Sequence, residues 1–451
     1  MRNSDGPGDK LGPFCGAQPG LGGAMRAVSA SMSTDLNALP ARALSAGLEP
    51  ILQRLEAENE ALVARTEAWS AINSGSFELD GLKRMRAPLL DAVSVLSGAV
   101  EEVALAPSQR VRPNGEIVDI EHGVSIRVRV RPEAPVQVAL TGHYDTVFPA
   151  AHPFQKPWRE GEALRGPGTA DMKGGIAVML AALQAFEAAP GDKRVGYEVL
   201  LSPDEEVGSM ASAPLLAELG ARAHVGMTYE PALADGALVD ARKGSGNFSL
   251  IIKGRAAHVG RAFADGRSAV IAAAEAALAL DALNGQRDGV TFNVGAIDGG
   301  SAVNIVPDRA VLRFNIRAPD AEGAAWGEAQ AQRIGDAANQ RDGVSAHLHG
   351  GITRPPKPLN AQQRTIVGWT RAAGEALGLD LKFQSSGGVC EGNNLAAAGC
   401  PNIDTLGPCG GGLHSDQEFA LISTFSERAK LSLLLLAGLN SGAFDVRSLR
   451  T

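Results

Sequence analysis

The sequence predicts an α/β protein in which a mixed sheet flanked by helices is interrupted by a smaller α+β unit. Three observations carry this reading. Apolar runs ending in polar clusters alternate with helical periodicity through the first half of the chain, the rhythm of strands and helices around an α/β sheet. Between about Lys243 and Gly351 the rhythm changes to alternating strands interleaved with two helices, as in a ferredoxin-like, split-βαβ unit. Finally, 451 residues exceed the size at which one core usually keeps growing. The expected division is therefore 41–242 with 353–443 as one domain and 243–352 as the other.

Each element follows from local pattern. Residues 43 to 70 and 78 to 100 carry apolar positions at helical spacing, such as Leu44, Leu48, Ile51, Leu52 and Leu55, then Leu89, Leu90, Val93 and Leu96. Two amphipathic helices are expected there. Ile126 to Val130 alternates as an edge-like strand, and Val136 to Thr141 is a buried strand that runs into Gly142-His143-Tyr144-Asp145-Thr146. A helix over Gly174 to Phe186 follows. Strands at Tyr197 to Leu201 and Val225 to Thr228 end in Asp204-Glu205-Glu206 and Tyr229-Glu230. In the insert, strands are expected at Phe248 to Ile252, Val290 to Val294 and Ala310 to Ile316, with helices at Ser268 to Leu283 and Glu322 to Asn339. A helix over Ala361 to Leu377, a strand at Ile403 to Leu406 and a helix over Ser423 to Leu439 close the first domain. No repeat at solenoid spacing is present.

Composition narrows the function classes. With 42 Lys+Arg against 50 Asp+Glu the chain carries a formal charge of -8; it offers no basic face for phosphate backbones, which speaks against nucleic acid as a partner. A small-molecule substrate is the expected partner. No apolar run approaches the roughly 20 residues needed to cross a bilayer. Four cysteines, Cys15, Cys390, Cys400 and Cys409, show neither zinc-finger spacing nor a disulfide framework, in keeping with a reducing cytoplasm. Residues 1 to 40, rich in Gly, Pro and Ser, lack the apolar core of a secretory signal and read as a disordered tail, with Met25 and Met32 as alternative starts.

Five ligand-type residues lie far apart in sequence: His143, Asp171, Glu206, Glu230 and His414. Each sits beside a strand end or in a Gly-rich loop, and in α/β sheets ligands bind beyond the carboxyl ends of the strands. Zinc accepts imidazole nitrogen and carboxylate oxygen, and a carboxylate bridging two ions gives the arrangement that stabilises attacking and leaving oxygens together. Asp171 is the expected bridge. Asp145, two residues beyond His143, is placed to orient the imidazole. Glu205 and Glu206 are adjacent; on an extended segment they point oppositely, so Glu206 is assigned to metal and Glu205 to proton transfer. The segment Gly166 to Gly175 fails the phosphate-loop pattern because glycine follows Lys173.

Taken together, Gly142-His-Tyr-Asp-Thr-Val147, Gly166-Pro-Gly-Thr-Ala-Asp-Met-Lys-Gly-Gly175, Pro203-Asp-Glu-Glu-Val-Gly208, Glu230-Pro231 and His414-Ser-Asp416 resemble the motif series of the zinc metallopeptidases and deacylases that include acetylornithine deacetylase, succinyl-diaminopimelate desuccinylase and glutamate carboxypeptidase. The resemblance implies a two-zinc catalytic domain interrupted by a lid domain that often mediates dimerisation, hence a homodimer. It makes His143, Asp171 and Glu230 ligands of one zinc and Asp171, Glu206 and His414 ligands of the other, with Glu205 as base and Asp145 behind His143. It also implies a cis peptide after Asp171. In the lid it implies substrate-binding roles for His258, Asn304 and Arg317, with His258 acting from a partner subunit. Cobalt or manganese also suits such ligands.

One stretch departs from the family pattern. Gly387-Gly388-Val389-Cys390-Glu391-Gly392-Asn393-Asn394 stands where glutamate carboxypeptidases show Gly-Gly-Thr-Asp, which changes the side chains near the substrate. Cys390 reads as a buried small hydrophobe. Arg354, after the insert, reads as a surface arginine by default and is a further candidate to meet a second acidic group on the substrate. The expected activity is hydrolysis of an amide bond in a peptide or N-acyl amino acid bearing a free carboxylate, of carboxypeptidase or acylamino-acid hydrolase type. An aminopeptidase and a metal-dependent binding protein without turnover are the alternatives.

Overall fold

The computed structural model describes residues 44–449; the expected tail and Cys15 lie outside the described residues. The chain opens with helices α1 (Glu49–Ala57), α2 (Asn59–Ser70) and α3 (Leu79–Val93). The helix expected over 43 to 70 breaks at Glu58, which ends one helix and starts the next. The helix expected to reach residue 100 stops at Val93, because Ser94, Ser97 and Gly98 make a turn and Ala99–Ala104 forms strand β1.

Strands β2 (Val124–Val130), β3 (Val136–His143), β4 (Val195–Ser202) and β5 (Val225–Thr228) follow, with helix α4 (Lys173–Ala188) after β3 and α5 (Ala213–Arg222) after β4. β2 is not the edge strand expected, since β1 pairs outside it, Ala99 opposite Arg129. The order is β1-β2-β4-β3-β5, extended by a short strand at Asn402–Ile403. β4, β3 and β5 run parallel, so their carboxyl ends deliver His143, Glu205 and Glu230 to one edge.

Alternation along the parallel strands feeds two layers. Val138 and Leu140 face a core shared with α4 and the closing helix, whereas Ala139 and Leu200 face Leu216, Leu219, Leu395 and Cys400. α4 is buried along nearly its whole circumference, as a helix apolar on all sides must be. It packs so close to the end of β5 that a Cβ on Gly175 would lie 1.9 Å from the Tyr229 carbonyl oxygen.

The insert comprises β6 (Gly244–Lys253), α6 (Ala269–Asp281), β7 (Thr291–Gly299), β8 (Arg309–Ala318), α7 (Ala321–Asn339) and β9 (Ser345–Arg354). Its strands are all antiparallel in the order β7-β8-β6-β9, the βαββαβ arrangement of a ferredoxin-like layer. Ser268 and Asp320 cap its two helices. It has its own apolar core, including Leu250, Phe314 and Ile334. β9 carries no period-two apolar pattern, and a hairpin of Ser108–Val111 with Ile117–Ile120 was equally unannounced by pattern. Helices α8 (Ala361–Ala376), α9 (Glu391–Ala397) and α10 (Thr424–Ser441) complete the fold. Among the described residues no helix is long and apolar enough to cross a membrane.

Candidate metal centre

The five ligand-type residues converge at the carboxyl edge of the parallel strands. His143, wholly buried, is the last residue of β3. Asp171 precedes α4 through a cis peptide to Met172, the isomer the family resemblance implies. Glu205 and Glu206 open a 3-10 turn, Glu205–Val207, rather than the extended segment expected; they still diverge. His414 stands in a loop with φ of 61°, a left-handed conformation that costs a non-glycine residue energy and is found at functional sites.

Asp171 joins the two halves of the cluster. Its Oδ1 lies 3.1 Å from His143 Nε2 and its Oδ2 lies 3.4 Å from His414 Nε2. Glu230 Oε1, 3.8 Å from His143 Nε2, completes the first half. Glu206 Oε2, 3.1 Å from His414 Nε2, completes the second. Behind His143, Nδ1 is 3.1 Å from the Asp145 carbonyl oxygen and 3.3 Å from Asp145 Oδ1, and the Asp145 side chain also accepts hydrogen bonds from Ser76 Oγ and from the backbone N–H groups of Glu205 and Glu206.

The electrostatics are those of a cation site. Burial, and then the charge of Asp171, push the Glu230 carboxyl up to about 8. The same two causes hold Glu206 well above the usual carboxylate range. Burial opposes ionisation of Asp171, yet His143 and His414 keep it below the ordinary value. Hydrogen bonds to Asp171 and Glu206 raise His414 to about 11. Glu230 Oε1 is buried with no hydrogen-bond partner among the described residues. Mixed imidazole and carboxylate donors, gathered within 4.8 Å of one another as His143, Asp171, Glu206 and as His143, Glu205, Glu230, fit divalent metal. Cys390 is outside both groups.

Around the cluster stand charged groups that the sequence pattern placed elsewhere or did not mark. Arg354, expected at the surface, is 2% exposed; it donates to Glu205 Oε1 at 2.6 Å, to the Glu205 carbonyl, to Ser209 Oγ and to Asn394 Oδ1. Its burial follows from its place at the last residue of β9, where the insert returns to the first domain. Glu418, also missed, accepts from the N–H groups of Gly168, Ala170 and Asp171 and so shapes the loop around Asp171. Lys173 Nζ is buried and donates to the carbonyls of Trp69 and Ile72; burial brings it down to about 7. Buried charge of this kind is visible only once the fold is known.

A cavity of about 850 Å³ opens on the cluster and is lined by Asp171, Glu205, Glu206, Arg242, Arg317 and His414 among others. Gly387, Gly388 and Val389 of the departing segment reach it, while Cys390 is buried and caps α9. Arg317 donates to Asn315 Oδ1 and to the Gly387 carbonyl. His258 and Asn304 do not line this cavity; they lie on an exposed ribbon of the insert, where His258 pairs with Ile305 and the Val259 N–H donates to the Asn304 carbonyl.

Comparisons with known proteins agree with this geometry. Carboxypeptidase G2 of Pseudomonas sp. (strain RS-16) is 28% identical over 329 residues, covering 71% of this chain and 78% of that protein. Succinyl-diaminopimelate desuccinylase of Azoarcus sp. (strain BH72) is 28% identical over 350 residues, covering 72% and 89%. Among solved structures, a tripeptidase from Staphylococcus aureus superposes with a TM-score of 0.65 at 22% identity, over 85% of this chain and 98% of that one. An M20 family metallo-carboxypeptidase from Sulfolobus solfataricus gives 0.64 at 16% identity, over 84% and 98%; at such identities these two speak for the fold. The family description "Peptidase family M20/M25/M40" matches residues 139–437, and with every ligand-type residue of the cluster inside that span, the chain belongs to this family of metal-dependent hydrolases.

Proposed function

We propose that this chain hydrolyses an amide bond in a peptide or N-acyl amino acid that carries a free carboxylate. The observation supporting it is Asp171, whose two oxygens each face a different histidine Nε2, the disposition of a carboxylate bridging two ions. His143, Asp171 and Glu230 would hold one zinc, and Asp171, Glu206 and His414 the other. Bound there, the ions supply an acidified water and a polarised carbonyl at neutral pH.

The chain's own residues do the rest. Glu205 takes a proton from the attacking water and delivers it to the leaving nitrogen. Arg354 anchors its Oε1 at 2.6 Å, leaving Oε2 toward the cluster, 4.0 Å from His143 Nε2. Asp145 fixes the His143 ring from behind. Arg317, with no carboxylate among its hydrogen-bond partners in the described residues, pairs with the substrate carboxylate in the cavity. The division into 41–242 with 353–443 and 243–352 belongs to this reading, as does a cytoplasmic homodimer formed through the insert, in which a second copy brings His258 and Asn304 to the reaction.

The test is a panel of N-acyl amino acids and dipeptides with the zinc-loaded protein and a chelator control. Chelator-sensitive release of a free amino acid is expected. Glu205→Gln should lose about 100-fold to 10,000-fold in kcat, the usual worth of a general base, while retaining its zinc by elemental analysis. Unchanged turnover in that variant would remove Glu205 from the proton transfer.

A further inference from the structure

Val207, the residue after Glu206, opens onto a second cavity, of about 530 Å³. Val207, Asn247 and Thr353 line both cavities, so the second adjoins the first beside Glu206. The walls of the second come from the hairpin Ser108–Val111 with Ile117–Ile120 and from the face of the insert sheet turned away from its helices. The hairpin is fastened to that face, with Arg313 donating to the Val111 carbonyl and Arg309 to the Asn114 carbonyl.

Two features of this second cavity call for a ligand. Large apolar side chains stand open to solvent on it, Phe77 at 51% and Met210 at 40% exposure. The Arg110 guanidinium lies 5.6 Å from the Phe77 ring centroid, the range of a cation–π contact. Among the described residues no carboxylate lines this cavity, although the chain as a whole is acidic at -8, and Arg110, His349 and Asn247 are all part of its wall. Exposed apolar side chains beside basic and hydrogen-bonding ones suit a ring that carries an acceptor or an acid.

We infer that the second cavity receives the acyl half of the substrate, and that this acyl group is aromatic with an acceptor or carboxylate at its far edge. The inference rests on the proposed amide hydrolysis and names its substrate class. The amino-acid carboxylate lies toward Arg317. The scissile bond lies at Glu205 and Asp171, and the aromatic acyl group passes Val207 to stack on Phe77 and Met210. Hydrolysis adds the oxygen of water to the acyl carbon and a proton to the leaving nitrogen, so an aromatic carboxylic acid and an amino acid leave by opposite ends.

The experiment compares the N-acetyl, N-benzoyl and N-(4-carboxybenzoyl) derivatives of one amino acid, alongside calorimetric binding of benzoate and acetate to the metal-free chain. For the unmodified protein kcat/KM should favour benzoyl over acetyl by about 2-fold to 12-fold, the scale of an aromatic pair, with a further gain for 4-carboxybenzoyl. Phe77→Ala and, independently, Met210→Ala should bring the benzoyl-to-acetyl ratio toward one and weaken benzoate binding. Arg110→Gln should abolish the gain from the second carboxylate. Both side chains are solvent-exposed, so their truncation does not threaten the core. Equal kcat/KM for acetyl and benzoyl, or equal losses for both in Phe77→Ala, overturns the inference. If no derivative is cleaved, the amide-hydrolase reading fails; benzoate binding that depends on Phe77 then still supports the cavity's assignment, and its absence overturns it.

Discussion

The Asp145 side chain ties both halves of the cluster together, beside its own carbonyl oxygen, which lies 3.1 Å from His143 Nδ1. One carboxylate oxygen faces His143 Nδ1 at 3.3 Å and accepts from the Glu205 N–H at 3.1 Å. The other accepts from Ser76 Oγ at 2.7 Å and from the Glu206 N–H at 3.2 Å. Asp145→Asn keeps the shape but presents an NH₂ group where an acceptor is required. It is expected to weaken metal binding about 10-fold to 100-fold, as loss of a carboxylate behind a ligating histidine does, measured by zinc competition against a chelating dye. Unaltered affinity with a native circular dichroism spectrum would show that the His143 ring is oriented by something else. Asp145 was legible in the sequence because it stands two residues from His143. Its partner Ser76 was not, since a serine 69 residues away carries no pattern of its own.

Helix α9 shows how an element turns a local departure into a titration. It begins at Glu391, whose carboxyl is fully buried and accepts from Ser202 Oγ at the end of β4. Burial pushes that carboxyl up to about 7, against about 4.3 in an unfolded chain. The folded state therefore holds a proton that the unfolded state has released between those values. The contribution of Glu391 to stability is full below about pH 4.3 and is lost as pH rises to about 7. Glu391→Gln removes the titration, so the melting temperature of the unmodified protein should fall relative to the variant between pH 5 and 7. Parallel curves across that range would refute it. At this scale the sequence was readable wherever an element has a clean period: α4, β3 and β8 lie where their apolar patterns put them. β9, with His347, His349, Gly350 and Gly351 in its ten residues, has no such pattern; pairing along β6 makes it a strand.

For the whole molecule, the joint between the two sheets is the feature that sequence pattern left dark. The chain crosses into the insert after Arg242 and returns before Lys357. There the two crossings pair: the Arg242 N–H donates to the Lys357 carbonyl at 2.9 Å and the Lys357 N–H to the Arg242 carbonyl at 3.0 Å. Both side chains also close on Asp404, which accepts from Arg242 at 2.8 and 3.0 Å and from Lys357 at 2.6 Å. The carboxylate is wholly buried; burial opposes its ionisation, but the two cations hold it down to about 2. Its stabilisation is therefore complete above the unfolded value of about 3.9 and is lost only as pH falls toward about 2. Asp404→Asn leaves two buried cations without a counter-charge, which costs about 3 to 5 kcal/mol when a buried pair is broken. The melting temperature should drop at every pH from 5 to 8, and adding Lys357→Met should restore part of the loss by removing one orphaned charge. Because Asp404 pins both crossings, the single variant should also broaden the orientation of insert against catalytic sheet, read as a larger radius of gyration in solution scattering. A variant that keeps both its melting temperature and its radius would show that backbone pairing at Arg242 and Lys357 holds the joint unaided.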